Sequence, residues 1–351
     1  MSYCTLFDCN YLDKGIVMID SLMRQKTGEN IYILCMDSKT STVLQDYYDE
    51  GIVIISKADF FEHYPELYNL EKERTRGELC WSCTALIIKF ILTNYKEKIC
   101  TYVDSDICFY SNPAVMREEM ENDNCSVQVV PHNFPPNVYG KIIQKNNGKN
   151  CVQFNTFTDD DKSLKLLDKW IQQCMTECSV SSGGDQRYTS EWGSLDYVNE
   201  SKNLGAGVAT WNISRFVLTD KSAHLIKDRY TKKIYKLVFY HFHQIVYTDR
   251  NNICVHAKDQ SLRVDNCLAD YLYCEYIYKT EMVKRYIKEK YGFEPMCYNS
   301  ERKSKSSALS VVEKYNIIEI CSLVIHKIVA ALKKNDTLIS LDYVNEYMAN
   351  N

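Results

Sequence analysis

An α/β fold with a mixed, mostly parallel sheet flanked by helices is what this sequence predicts, and three observations predict it. Short apolar runs alternate with helical segments through the first half of the chain, the pattern of strand–helix–strand units. The runs are apolar on consecutive residues, as in strands covered on both faces. After about residue 250 the strand signals fade and helical ones take over. The expected organisation is a core over residues 1–250 with a helical C-terminal extension over 251–351, within the size that α/β domains reach.

The elements follow in order. Residues 3–7 read as the first strand, closed by a turn at Asp8, Cys9 and Asn10. Asp13 can cap the next helix, whose Ile16, Ile19 and Met23 recur at helical spacing. Residues 31–36 and 52–55 are short buried-strand runs, and a helix is expected over 83–95. Strands are expected at 99–103, 125–130 and 152–157, and a helix at 162–178 with Leu164, Leu167, Ile171, Cys174 and Cys178 on one face. Residues 237–244 form a last apolar strand. Helices over 260–291 and 308–333 are joined by a polar linker at 301–307.

The net charge of −4 gives no electrostatic case for nucleic acid as a partner. Residues 1–10 lack the basic start and apolar stretch of a secretion signal, and no run of 18 apolar residues is present. The expectation is a cytoplasmic protein whose sixteen cysteines are reduced and mostly buried. Cys80-Trp-Ser-Cys83 reads as structural rather than redox-active. The apolar stretch 317–332, interrupted by Glu319, His326 and Lys327, has two readings. It packs on the core, or, with Arg302, Lys303 and Lys305 nearby, it makes a peripheral contact with the inner face of a membrane.

The most informative segment is Asp104-Ser105-Asp106, where an apolar strand ends abruptly and apolar residues resume at once. Carboxylates in such a setting need a partner. In open α/β sheets ligands bind beyond the carboxyl ends of strands. Two carboxylates one residue apart can share a hard divalent cation such as Mg²⁺ or Mn²⁺, bridging the phosphates of a nucleotide-sugar. The alternative is a solvated turn in which Asp106 caps a helix.

His241 and His243 close the strand at 237–244 and alternate with Phe242. The expectation is that they face opposite sides, so that one of them, His241 or alternatively His243, reaches a metal. Either is otherwise a hydrogen-bonded core histidine. Gly183-Gly-Asp-Gln186 is a loop entering a helix, in which Asp185 is a cap or, with Gln186, a donor-sugar contact. Gly205 to Asn212 is a second glycine-bearing stretch, where Trp211 stacks on a sugar face or fills the core.

Taken together and in this order, these segments resemble nucleotide-diphospho-sugar transferases of the GT-A fold, related to the glycogenin and lipooligosaccharide-galactosyltransferase group. The resemblance covers residues 3–244. It implies that Asp8, Asn10 and Tyr11 hold the nucleoside, that Asp104, Asp106 and His241 hold the metal, and that Asp185 and Gln186 are the catalytic pair facing the sugar. Ser105, Gly205 and Trp211 join the nucleotide-sugar site, and Lys89 or Arg187 offers a positive charge for the leaving diphosphate. Two positions depart from the family pattern. Gln244 stands where a glycine is usual, and Cys151-Val-Gln153 replaces an Asn-x-Gly, leaving Gln153 and Asn155 as substitute sugar contacts. The implied reaction transfers a hexose, with retention, from a nucleotide-diphosphate sugar, UDP-sugar favoured, to a glycan or lipid-linked acceptor in polysaccharide biosynthesis. The competing readings are a sugar-nucleotide nucleotidyltransferase and a catalytically degenerate sugar-nucleotide-binding protein.

Overall fold

The computed structural model describes residues 2–255, 264–295, 338–351 and, between the last two stretches, 316, 318, 319 and 321–325. Its centre is a seven-stranded sheet in the order β3-β2-β1-β4-β7-β6-β8. The strands are β1 (Ser2–Phe7), β2 (Asn30–Cys35), β3 (Ile52–Ser56), β4 (Ile99–Val103), β6 (Val127–Pro131), β7 (Asn150–Thr158) and β8 (Val198–Glu200). Only β7 runs against the others, pairing antiparallel with β4 and β6. The sheet is therefore mixed and mostly parallel, as the alternating pattern predicts.

The helices are α1 (Leu12–Met23), α2 (Ser38–Tyr47), α3 (Lys57–His63), α4 (Leu67–Glu73), α5 (Arg76–Asn94), α6 (Ala114–Asn122), α7 (Val138–Asn147), α8 (Asp161–Thr176), α9 (Asn266–Tyr291) and α10 (Leu341–Asn350). They cover both faces of the sheet. Alternate residues of each strand point to opposite sides. Tyr3, Ile31 and Ile33 join the core formed with α1 and α9, whereas Cys4, Leu6, Tyr32 and Leu34 join the one formed with α5 and α8. That two-sided burial is why these strands read as unbroken apolar runs.

Three small sheets complete the body. In one, β13 (Phe239–His241) lies between β5 (Ile107–Phe109) and β9 (Val208–Ala209). The second is the meander β10 (Phe216–Asp220), β11 (Leu225–Asp228) and β12 (Ile234–Lys236). In the third, β14 (Val246–Tyr247) and β15 (Asn252–Cys254) pair with β16 (Leu338–Ser340) from near the C-terminus. Strands of two or three residues carry no readable period, so β14 to β16 leave no mark in the hydrophobic pattern.

Some elements differ from their sequence expectation. Helix α5 starts at Arg76 rather than 83, because Thr75 and Glu78 form a reciprocal capping box. Cys80 and Cys83 thus lie inside it. Asp13 does not cap α1: it is buried in the first turn, with its carboxylate 3.7 Å from Lys284 of α9. The buried stripe of α8 runs through Leu166, Leu167, Trp170 and Cys174, so Leu164 and Ile171 sit at its margin. No described helix is long and apolar enough to cross a membrane. Arg302, Lys303 and Lys305, the 301–307 linker and most of the 308–333 helix lie outside the described residues.

Candidate active site

Strands β1 and β4 are parallel neighbours, so their C-terminal ends share one edge of the sheet. Asp8 follows the first and Asp104 the second, which brings both to that edge. The start of β7 arrives there too, since the Asp104 amide donates to the Gln153 carbonyl at 3.0 Å. Beyond Asp106 the chain enters β5, whose Ile107 pairs with His241 of β13, and the Phe242 amide donates to the Asp106 carbonyl at 2.9 Å. Backbone pairing alone thus sets His241 against the acidic pair.

The result is a cleft of about 800 Å³ lined by Asp8, Asn10, Tyr11, Asp104, Ser105, Asp106, Asp185, Gln186, Trp211, His241 and His243 among others. His241 Nε2 is 2.9 Å from Asp106 Oδ1 and 3.8 Å from Asp104 Oδ2. On its other side Nδ1 stands 2.8 Å from Gln153 Oε1, an acceptor only, so Nδ1 carries the proton. That fixes the tautomer of the neutral ring with its Nε2 lone pair toward the carboxylates, the usual way a ligating histidine is held. Oxygen donors beside an imidazole nitrogen oriented from behind suit a divalent cation.

The electrostatics are those of a crowded anionic site. Burial favours a neutral His241, but Asp106 and then Asp104 hold the imidazole well above its ordinary range. Burial likewise opposes ionisation of Asp106, yet the charge and hydrogen bond of His241 hold it well below the usual carboxylate range. Asp104 is pushed up by burial and by Asp106, with His241 opposing. Asp185 is pushed up to about 7 by burial and by Asp104.

His243 lies in the cleft with His241, against the expectation of opposite sides, because residues two apart in a strand share a face and it is Phe242 between them that turns away. The strand ends at His241, and Gln244, just beyond His243, adopts a left-handed backbone with φ of 59°. The ring centroids of His241 and His243 are 5.6 Å apart. One donor atom each from Asp106, His241 and His243 lies within 4.8 Å of the others, the one such grouping among the described residues. Gln244 itself shows why a glycine suits its position: a positive φ is free for glycine and strained for other residues.

Other expected positions separate into those in the cleft and those outside it. Asp185 opens a short 3-10 helix after Gly184, whose φ of 65° and approach to Trp81, 3.1 Å from where a Cβ would sit, require a glycine. Gln186 lines the cleft and donates to the Asn147 carbonyl at 3.0 Å. Trp211 is only 8% exposed, donates to the His132 carbonyl at 3.0 Å, and meets both histidine rings edge-on. It packs against both imidazoles and leaves little of its surface exposed for stacking on a sugar.

Gln153 and Asn155 are fully buried in β7 and do not line the cleft. Gly205 is also elsewhere: a Cβ there would meet the Lys236 carbonyl oxygen at 2.0 Å, so its glycine serves backbone packing. Lys89 is eight residues beyond Trp81, about 12 Å along the helix, and pairs with Asp168 of α8. Arg187 is exposed over the Tyr188 ring. The cations that do line the cleft are Lys14 and Arg76, which the sequence reading passed over. Both sit in the first turn of a helix, α1 and α5, where the helix dipole disfavours positive charge. That misfit was the available signal. Lys14 is 6% exposed and lies over the Tyr11 ring, while Arg76 Nε contacts Asp8 Oδ2 at 2.5 Å and its Nη2 reaches Asp37 at 3.1 Å. Trp81, half-buried against Gly184, is the cleft aromatic the sequence did not single out.

No family model matches the chain. Two proteins of Bacillus subtilis strain 168 are similar in sequence, each described only as uncharacterized. YfnD is 25% identical over 300 residues, covering 82% of this chain and 90% of the relative. YfnF is 26% identical over 257 residues, covering 69% and 80%. Similar solved structures include the bifunctional glycosyltransferase WbbM (14% identity, 81% of this chain and 51% of that one, TM-score 0.48). The galactosyltransferase LgtC with donor and acceptor sugar analogues is 13% identical over 70% of this chain and 87% of its own, TM-score 0.44. Mouse xyloside xylosyltransferase 1 is 12% identical over 69% and 97%, TM-score 0.43.

Proposed function

We propose that the protein is a metal-dependent glycosyltransferase that moves a hexose from a nucleotide-diphosphate sugar to a hydroxyl of a glycan or lipid-linked acceptor. The observation that carries the reading is the convergence of Asp104, Asp106 and His241 on one edge of the central sheet. The His241 nitrogen stands 2.9 and 3.8 Å from the two carboxylates, at the mouth of a cleft large enough for a nucleotide-sugar. Asp104, Asp106 and His241 would hold the cation. Bound Mn²⁺ or Mg²⁺ supplies Lewis-acid neutralisation of the charge that builds on a departing diphosphate.

The remaining roles fall to side chains of the cleft. Asp8, Asn10 and Tyr11, at the end of β1, hold the nucleoside. Lys14 and Arg76 add positive charge beside the N-termini of α1 and α5, where backbone amides also favour phosphate. Asp185 and Gln186, which also line the cleft, face the sugar. Gln153 acts behind His241, setting its tautomer. UDP as the donor nucleotide and retention at the anomeric carbon are supported by the motif resemblance. Both departures from the family pattern keep a working geometry here: Gln244 takes the positive φ and Gln153 orients the histidine. That favours a catalyst over a degenerate binding protein.

The test is a panel of nucleotide-sugars with Mn²⁺, assayed for donor hydrolysis in wild type and in the Asp104→Asn, Asp106→Asn double variant. The expected result is metal-dependent release of nucleoside diphosphate by the wild type, abolished in the variant with its circular dichroism unchanged. Release of pyrophosphate would instead identify a nucleotidyltransferase, and undiminished turnover in the variant would remove the metal role.

A further inference from the structure

We infer that His243 is a second imidazole ligand of the cleft cation, so that this site selects a nitrogen-preferring transition-metal ion over Mg²⁺. The inference rests on the proposed cation site and adds to it a residue that the motif resemblance leaves out.

Three observations place His243 there. A ring nitrogen of His243, one of His241 and a carboxylate oxygen of Asp106 all lie within 4.8 Å of one another. Donors bound to one ion at about 2.1 Å stand about 3 Å apart when adjacent and about 4 Å apart when opposite. The span therefore needs only small side-chain rotations to close on a common ion. The second observation is the strand period: residues two apart share a face, so His241 and His243 both line the cleft while Phe242 between them is buried against Tyr276. The third is the bracing of both rings by one indole. Trp211 meets His241 at 5.3 Å and His243 at 5.8 Å between ring centroids, and its own N–H is tied to the His132 carbonyl.

The chemistry follows from the donor set. Asp104 Oδ2 approaches the same His241 Nε2 as Asp106 does, at 3.8 Å, and adding it to this trio makes the protein set two carboxylates and two imidazoles. Mg²⁺ prefers oxygen ligands and retains its waters. Imidazole donors favour later first-row ions, with affinity rising from Mn²⁺ to Co²⁺ in the usual order. Each added nitrogen widens the gap between these ions and Mg²⁺.

The test uses direct metal binding to the full chain, with no substrate present. Titration calorimetry with Mg²⁺, Mn²⁺ and Co²⁺ is run on wild type, His243→Asn and Asp106→Asn. Pulsed paramagnetic resonance of the Mn²⁺ form counts the coupled histidine nitrogens. His243 is half-buried at the cleft rim, so the Asn variant folds, and circular dichroism checks it. The expected result is two coupled imidazoles in wild type and one in His243→Asn. Co²⁺ affinity should fall about tenfold or more in that variant, the usual effect of losing a site residue, while Mg²⁺ affinity moves less than about threefold. If Asp106→Asn loses the ion but His243→Asn keeps two nitrogens and its Co²⁺ affinity, His243 is no ligand and the cation site stands without it. If wild type binds none of the three ions, the inference and the metal-dependent reading fall together.

Discussion

Replacing Asp185 with asparagine should stabilise the metal-free protein above neutral pH and leave it unchanged near pH 4. Asp185 is buried at 6% exposure, opens a 3-10 helix after two left-handed glycines, and shares the cleft with Asp104. Burial and the Asp104 charge raise its carboxyl from 3.8 to about 7. At about 1.4 kcal/mol for each tenfold change in proton affinity, ionising it in the folded state costs on the order of 4 kcal/mol. A domain's net stability is only about 5–15 kcal/mol, so the effect is large.

The sign is fixed by linkage. Between pH 4 and 7 the folded protein holds a proton on Asp185 that the unfolded chain has released, so stability falls as pH rises through that window and levels off above it. Asparagine is isosteric with the protonated acid and has no such slope. Urea denaturation from pH 4 to 8.5, with a chelator present, should show variant and wild type coinciding at the acid end. They should separate to a few kcal/mol in the variant's favour by pH 8. Asp104, Asp106 and His241 titrate in both proteins, so their contributions largely cancel in the difference. A difference that stays flat across the window would refute the argument, because it would mean that Asp185 ionises as easily folded as unfolded. A stabilised variant that has also lost donor hydrolysis would show a functional group kept at the expense of the fold.

Gln244→Gly relieves a side chain held at φ of 59° and should raise stability by up to about 1 kcal/mol, whereas Gln244→Val should lower it by about 1–2 kcal/mol; thermal melts decide, and equal effects would argue against backbone strain. Gln153→Leu removes the acceptor 2.8 Å from His241 Nδ1, leaves a buried N–H unpaired at about 1–3 kcal/mol, and should weaken Mn²⁺ binding about 10- to 100-fold, with Gln153→Glu restoring most of it. Lys14→Ala should weaken nucleoside diphosphate binding about tenfold in a direct titration, and Lys89→Ala, whose ammonium pairs with Asp168 away from the cleft, should leave it unchanged.

How much of this was legible depended on how local each signal was. The first four strands and the acidic pair could be read because an apolar run ending in Asp104-Ser105-Asp106 contrasts within a single segment. His241 was legible by its place at the end of an apolar strand. Its partnership with His243 was legible too, since residues two apart in a strand share a face. The cations were misassigned. Lys89 reads as an available charge only until α5 is placed against α8. Lys14 and Arg76 carry a usable sign, a positive charge where a helix begins, but that sign depends on where α1 and α5 start, and the Thr75–Glu78 capping box sets the start of α5 at Arg76, ahead of the expected residue 83.

Least legible was the reach of the C-terminal residues back to the site. Phe242, between the two histidines, stacks on Tyr276 of α9 at 3.7 Å with rings 4° from parallel, and the Tyr240 hydroxyl meets that of Tyr273 at 2.7 Å. About two turns beyond Tyr276, Lys284 lies 3.4 Å over the Tyr247 ring and approaches Asp13 in the first turn of α1. Helix α9 therefore touches the strand that carries His241 from behind, the segment after His243, and the turn that presents Lys14. All of these contacts are buried within one core that runs from Tyr3 to Val344. A close-packed core transmits small shifts instead of absorbing them. Geometry at a metal site is sensitive to displacements well under an ångström. The motif residues all lie before residue 250, but the spacing that lets two imidazoles and two carboxylates meet is set in part by tyrosines that follow it.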